Sequence, residues 1–323
     1  MPTYRIKKEN GIHGLIFQMH RVYFILIVVS FGLFIKANHF RGGTITWKPI
    51  NNNIINGSIV SIMITQSYSW TRSQIGCNNS MIATQWPPIN LAGRSGTGSD
   101  LMCSASCSTA GGYVGHEVPI TGYCTDYSAA LDMTVSQRSD TVNLTSGAHF
   151  TATFATGGGW QVLALGSSIG WSLSCVIDVR PRPDNGLINT PPVATCISYI
   201  SVPVNVRQSI YIPVLDADND IIRCRFANES SECVNTCPPG SLPSGTTLSS
   251  SCILTIKGPT VNAYYLVAIQ VISFRRWIYF NLSFIGRRFH HQYEHYSTKF
   301  RSSSIFDLRV WYSKLHSKTS SDS

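Results

Sequence analysis

IYIPVLDADNDIIRCRF, residues Ile210 to Phe226, decides how the second half of the chain is read. Ile210, Ile212 and Val214 alternate with other residues, the acidic run DADND intervenes, and Ile222, Cys224 and Phe226 alternate again. Period-two alternation on both sides of a turn-forming run reads as strand, acidic turn, strand. Downstream, Cys233-x3-Cys237 leads into the proline-rich crossing PPGSLPSGTTL, and CILTIKG and AYYLVAIQV follow as closing strands of a small sandwich.

Upstream lies RPRPDNGLINTPP, Arg180 to Pro192. Its prolines resist both helix and central strand, which makes it the best domain boundary. The linker is placed at 186–192, between a first β-rich domain at 38–185 and a second at 193–271. In the first, Thr44, Thr46 and Lys48 alternate with Ile45 and Trp47 just after Gly42-Gly43, and Ser58 to Gln66 behaves likewise. Asp140 to Phe154 reads as two strands about a Ser-Gly turn, and Trp160–Leu165 and Trp171–Val179 flank a Gly/Ser hairpin. Ile89 to Gly115 reads as a long loop pinned at Cys103 and Cys107. No long stretch of this body carries an apolar face at helical spacing, so the expected class is all-β: two tandem β-sandwich-like domains.

The body is preceded by Val22 to Ile35, fourteen residues without charge. Lys7, Lys8 and Arg21 come before it and Ala37 after it. A run this short fits a signal peptide at 1–37, with Met19 as a possible true start, better than a spanning helix. An uncleaved signal anchor is the alternative; either way the body faces outside. The formal charge of +9 divides into +4 for 1–37, −1 for 38–271 and +6 for 272–323. The body therefore has no basic excess to neutralise phosphates, which excludes nucleic acid as its partner.

All ten cysteines lie between Cys77 and Cys252. Outside the cytosol such a set is mostly disulfides. Cys103 with Cys107 and Cys233 with Cys237 form close pairs, and Cys224 and Cys252 can bridge the two sheets of the second domain. Each side of the linker holds five cysteines, so Cys175 and Cys196, flanking it, are expected to pair with each other or both stay free. Asn56, Asn78, Asn143 and Asn228 head glycosylation sequons in the body. The tail, 272–323, breaks from the body in composition: dense in aromatics, Arg and His, it is expected to be poorly ordered, foreign to the domain or laid on an anionic membrane.

Asp216, Asp218 and Asp220 are the leading site candidates. Three carboxylates at spacing two, in a turn between strands, offer hard oxygen ligands to calcium; the alternative is a solvated turn in which Asn219 takes the left-handed position. Gly166 to Gly170 matches the G-x-S-x-G nucleophile pattern around Ser168, but a strand follows where the elbow needs a helix. His39, His116 and His149 are scattered, and His290, His291 and His295 lie in the tail. Trp47, Trp70, Trp86, Trp160 and Trp171 line either a sugar-binding face or, more commonly, a core.

Residues 192–271, through IYIPVLDADNDIIRCRFA, LPSGTTLSSSCILTIKG and YYLVAIQV, resemble cadherin-like and immunoglobulin-like domains of surface proteins. The resemblance implies an acidic turn able to bind calcium, usually with acids from a neighbouring module. The body from HFRGGTITWKP onward also resembles a group of extracellular proteins from invertebrates that brings location and architecture but no chemistry. The expectation is a secreted or surface-attached, disulfide-bonded glycoprotein that recognises or adheres to an extracellular protein or glycan. No cofactor is certain, calcium at the acidic turn being the one candidate, and the chain touches membrane only through an uncleaved leader or the basic tail. The competing readings are a secreted serine enzyme at Ser168 and a structural matrix component.

Overall fold

The computed structural model describes residues 40–51, 57–87, 100–115, 117–158, 163–165, 169–195, 199–228, 230–234, 237–274 and 300–311. The leader, Asn56, His116, Ser168, Cys196 and the histidine cluster of the tail lie outside them. Sixteen strands run along the described residues. They are β1 (Phe40–Pro49), β2 (Ile59–Thr71), β3 (Met102–Ala105), β4 (Tyr123–Ser128), β5 (Met133–Thr145), β6 (His149–Gly158), β7 (Ile169–Asp178) and β8 (Val193–Ala194). Beyond them come β9 (Tyr199–Pro203), β10 (Gln208–Tyr211), β11 (Val214–Leu215), β12 (Ile221–Phe226), β13 (Thr247–Leu248), β14 (Ile253–Ile256), β15 (Tyr264–Phe274) and β16 (Phe300–Trp311). Two one-turn helices, α1 (Asn79–Ala83) and α2 (Ser230–Cys233), complete an all-β chain.

The large sheet follows the order β3-β6-β7-β16-β1-β2-β5-β4, with β15 and β9 also pairing β16 and β12 pairing β15. Alternation sends Ile45 and Trp47 of β1, Ile62 and Ile64 of β2, and Val142 and Leu144 of β5 into one core. Phe150 and Phe154 of β6 and Leu173 and Ile177 of β7 enter it from the other layer. Trp47 is sealed in and its indole N–H donates to the Val176 carbonyl at 2.8 Å, so burial leaves no polar atom stranded. Gly43 has to be glycine: a Cβ there would lie 2.6 Å from the Ser67 carbonyl oxygen and 2.7 Å from the Tyr68 ring. Within this core Cys175 is free, and burial pushes its thiol up to about 12.

A second core lies between β12–β15 and the three-stranded sheet β10-β14-β13. Disulfide Cys224–Cys252 crosses it from β12 to the turn before β14. Cys77–Cys124, Cys103–Cys107 and Cys233–Cys237 are also formed. By the loop-closure argument the 28-residue separation of Cys224–Cys252 contributes about 3–4 kcal/mol and a four-residue separation about 2 kcal/mol, so the cross-core bridge matters more.

β15 joins the two cores. Leu266 and Ala268 belong to the first, while Tyr265, Val267, Ile269 and Val271 belong to the second. AYYLVAIQV is thus more than the closing strand of a second unit, because its alternate side chains serve both sides. Two further expectations are corrected. Phe300–Trp311, assigned from composition to a poorly ordered tail, is a strand that pairs with β15, β1 and β9 in register. Its alternation of SIFDLRVW was hidden beneath the tail's basic-aromatic bias. Met102–Ala105, expected in a loop, pairs with β6, where the Cys103–Cys107 bond closes just beyond it.

Because one strand completes both cores, the two should melt together. Leu266→Ala and Val267→Ala, aimed at different cores, should each cost about 2–5 kcal/mol and shift one common transition. Calorimetry showing two separable transitions, only one of them moved by each variant, would contradict this.

Candidate functional site

The acidic turn forms as the sequence implies. Asp218 and Asp220 donate their backbone N–H groups to Asp216 Oδ1, each at 3.0 Å, and Asn219 takes a left-handed φ of 58°. The three carboxylates converge, with one oxygen of each within 4.8 Å of the others. What the sequence did not reveal is the cation that Asp218 and Asp220 face. Arg182, with a side chain 5% exposed, donates Nη1 to Asp220 Oδ2 at 3.1 Å and Nη2 to Asp220 Oδ1 at 3.0 Å. It also pairs with Asp184 at 3.0 Å, lies 3.6 Å from Asp218, and donates to Asn189 Oδ1. Asp218 Oδ2 accepts the Thr190 N–H at 2.6 Å. The expected linker is therefore a turn closed by Arg182 N–H to the Leu187 carbonyl at 2.7 Å and pinned onto the acidic turn.

The Arg182 guanidinium competes for the carboxylates that the sequence offers to calcium, forking onto Asp220 and lying beside Asp218. Calcium asks for six to eight oxygens, and here both oxygens of Asp220 and one each of Asp216 and Asp218 are committed to protein donors. Asp216 Oδ2 is buried without a partner. Burial, joined by the Asp220 and Asp218 charges, raises the Asp216 pKa above 3.8, and burial does the same for Asp220 against the opposing pull of Arg182. Burial also works against the Arg182 charge, but the hydrogen bonds from Asp184 and Asp220 outweigh it and hold the group protonated.

A different site lies at the margin of the first sandwich. Cys77–Cys124 ties the entry of α1 to β4. Asn78 caps α1 by accepting the Met81 N–H at 3.0 Å. Gln85, at φ 51°, turns the chain back, so that the Trp86 carbonyl accepts the Cys124 N–H of β4 at 3.1 Å. Between this turn and the β4–β5 hairpin opens a cleft of about 480 Å³, lined by Ile82 and Gln85 on one side and by Tyr123, Thr125, Gln137 and Ser139 on the other, with Cys124 and Arg138 in its wall. Arg138 forks onto Asp140, with both bonds 2.6 Å, and donates to the Thr121 carbonyl at 2.8 Å. Its guanidinium lies 5.6 Å from the centre of the Tyr123 ring. Tyr123 is 39% exposed and Trp86 60%.

Of the tryptophans proposed for a sugar face, Trp47 and Trp70 are core residues, and Trp86 is exposed. Trp86 had one legible signal: it precedes Pro87-Pro88, a pair that cannot sit in a central strand, so its ring had no core to enter. Tyr123, Gln85 and Gln137 carried none, being brought together only by strand register and a disulfide. Ile169, within the serine motif and next to Ser168, starts β7 rather than a helix. Asn78, Asn143 and Asn228 are all exposed. Among the described residues no helix is long and apolar enough to cross a membrane.

No family model and no curated protein matches the chain. The structure is similar to the crystal structure of the two tandem V-type regions of VCBP3, a v-region-containing chitin binding protein. The identity is 11%, the TM-score 0.31, and the coverage 83% of this chain and 100% of that one. At that score the likeness carries no argument.

Arg182→Met leaves the Asp220 carboxylate buried without its fork and should cost about 3–5 kcal/mol in denaturant unfolding. Adding Asp220→Asn should recover part of that loss, and millimolar calcium should leave the wild-type melt unmoved. Full additivity of the two changes, or a calcium-dependent rise in Tm, would break the assignment of Arg182 as the cation. Because the Asp216 pKa is raised, the folded state binds more protons than the unfolded state just above pH 3.8, and this group's contribution to stability falls as pH rises through that window. Asp216→Asn removes the effect, so melts from pH 3.5 to 7 should show the variant gaining on wild type as pH rises. A constant gap between the two would refute this.

Proposed function

We propose that this chain is a non-enzymatic extracellular recognition or adhesion protein that captures a partner without altering it. The observation that carries the reading is the cleft beside β4. Its walls are held by a disulfide and by strand pairing, and its lining offers amides, hydroxyls and an exposed aromatic ring. Among the described lining residues no histidine or carboxylate stands ready to activate Thr125 or Ser139 as a nucleophile. Support for the extracellular setting comes from the four disulfides and from the exposure of Asn78, Asn143 and Asn228, each open to a glycan. The near-neutral charge of the body supports a protein or glycan partner over nucleic acid.

Expressed in a secreting eukaryotic cell, the full chain should emerge with these bridges closed and glycan on the three asparagines, read by peptide mass spectrometry. It should bind cell surfaces or matrix saturably. Ester and peptide panels should be hydrolysed no faster than in buffer, with Ser168→Ala unchanged. Retention in the cytosol with free thiols, or a hydrolase activity abolished by Ser168→Ala, would overturn the reading.

A further inference from the structure

We infer that the cleft between the Gln85–Trp86 turn and the β4–β5 hairpin takes a neutral oligosaccharide, an inference that rests on the recognition reading and names its ligand class. Charge is the first reason. Arg138 is the one cationic group among the described residues that line the cleft, and each of its three guanidinium nitrogens makes a hydrogen bond, two to Asp140 and the third to the Thr121 carbonyl. The Asp140 hydrogen bond keeps Arg138 protonated, and the Nε–Nη2 edge, the fork best shaped for a sulfate, phosphate or carboxylate, is already taken by Asp140.

The second reason is the alternation of ring and amide. A pyranose presents C–H groups on its faces and hydroxyls around its rim. Tyr123 is backed by the guanidinium and still 39% exposed, and Trp86, 60% exposed, sits one residue beyond the lining residue Gln85. Both offer flat apolar surface to such faces at little cost in side-chain entropy. Gln85 and Gln137 each carry donors and an acceptor on one rigid amide, which suits a pair of neighbouring hydroxyls.

A peptide strand is the weaker occupant. The β4 edge at Cys124 is already closed by the Trp86 carbonyl, so an extended chain cannot add there by backbone pairing. Among its described residues the cleft offers Ile82 as the one aliphatic anchor, against the buried aromatic and aliphatic pockets that hold protein partners. With the Cys77–Cys124 bridge and the hairpin fixing both walls, a short oligosaccharide would meet a preformed site.

The test uses the secreted full chain on an array of neutral and anionic oligosaccharides, followed by titration calorimetry with the best neutral tetra- to hexasaccharide. Wild type, Tyr123→Ala, Trp86→Ala, Gln137→Ala and the remote control Tyr211→Ala are compared, each first shown to melt with wild type. Tyr123→Ala should weaken binding at least tenfold, Trp86→Ala and Gln137→Ala severalfold, and Tyr211→Ala not at all. Sugar binding indifferent to all three cleft variants would overturn the cleft while leaving recognition standing. Binding confined to anionic glycans, or saturable cell-surface binding with no neutral glycan retained on the array, would overturn the ligand class. Absence of both array and cell-surface binding would overturn the recognition reading with it.

Discussion

The double burial of β15 is the constraint from which the rest of the architecture follows. Nine of its residues in succession, Tyr265 to Ser273, are shielded from water, which a strand at the solvent face of a sandwich never achieves. Such a strand needs apolar partners on both faces and backbone partners on both edges. The faces are met by the two cores, and the edges by β12 and β16. β16 pairs along the β15 edge that would otherwise be left open.

The junction of the two halves answers a related demand. Where the chain passes between cores it brings charged residues into poorly hydrated surroundings, and each must be matched. Arg182 and Asp220, with side chains 5% and 2% exposed, settle this locally by a charge-assisted fork, and Asp184 and Asp218 pair with the same cation from more exposed positions. The proline-rich segment that composition marks as a domain boundary is for the same reason tethered. Any relative movement there would have to part a buried ion pair, which is far costlier than flexing a solvated linker.

At the far margin of the first sandwich the physical problem is an exposed sheet edge. β4 carries a bulge between Cys124 and Asp126, and the Gln85–Trp86 turn covers the adjacent N–H. Both devices discourage pairing with another chain. The covering turn does not lie flush on the hairpin, and the space left under it is the cleft. A feature that protects the fold thus also creates a concave surface of mixed polarity, and recognition sites are commonly built on such loop-covered edges of a scaffold.

The all-β class was legible because alternation is a local property. Ile45 and Trp47, or Ile222 and Cys224, declare a strand with no knowledge of what they pack against. The acidic turn, the Cys103–Cys107 and Cys233–Cys237 bridges and the Ser-Gly hairpin before β6 were legible for the same reason, since each closes within a few residues. What only the tertiary structure decided is every pairing between distant positions. Arg182 meets Asp220 across 38 residues, and Gln85 meets Tyr123 through a bridge spanning 47. β15 turns alternate side chains to different cores, which no period along its own sequence distinguishes from burial on one side. Hydrophobic pattern specifies which face of a strand is buried, but loop closure and strand register decide what that face, and each charge beside it, is buried against.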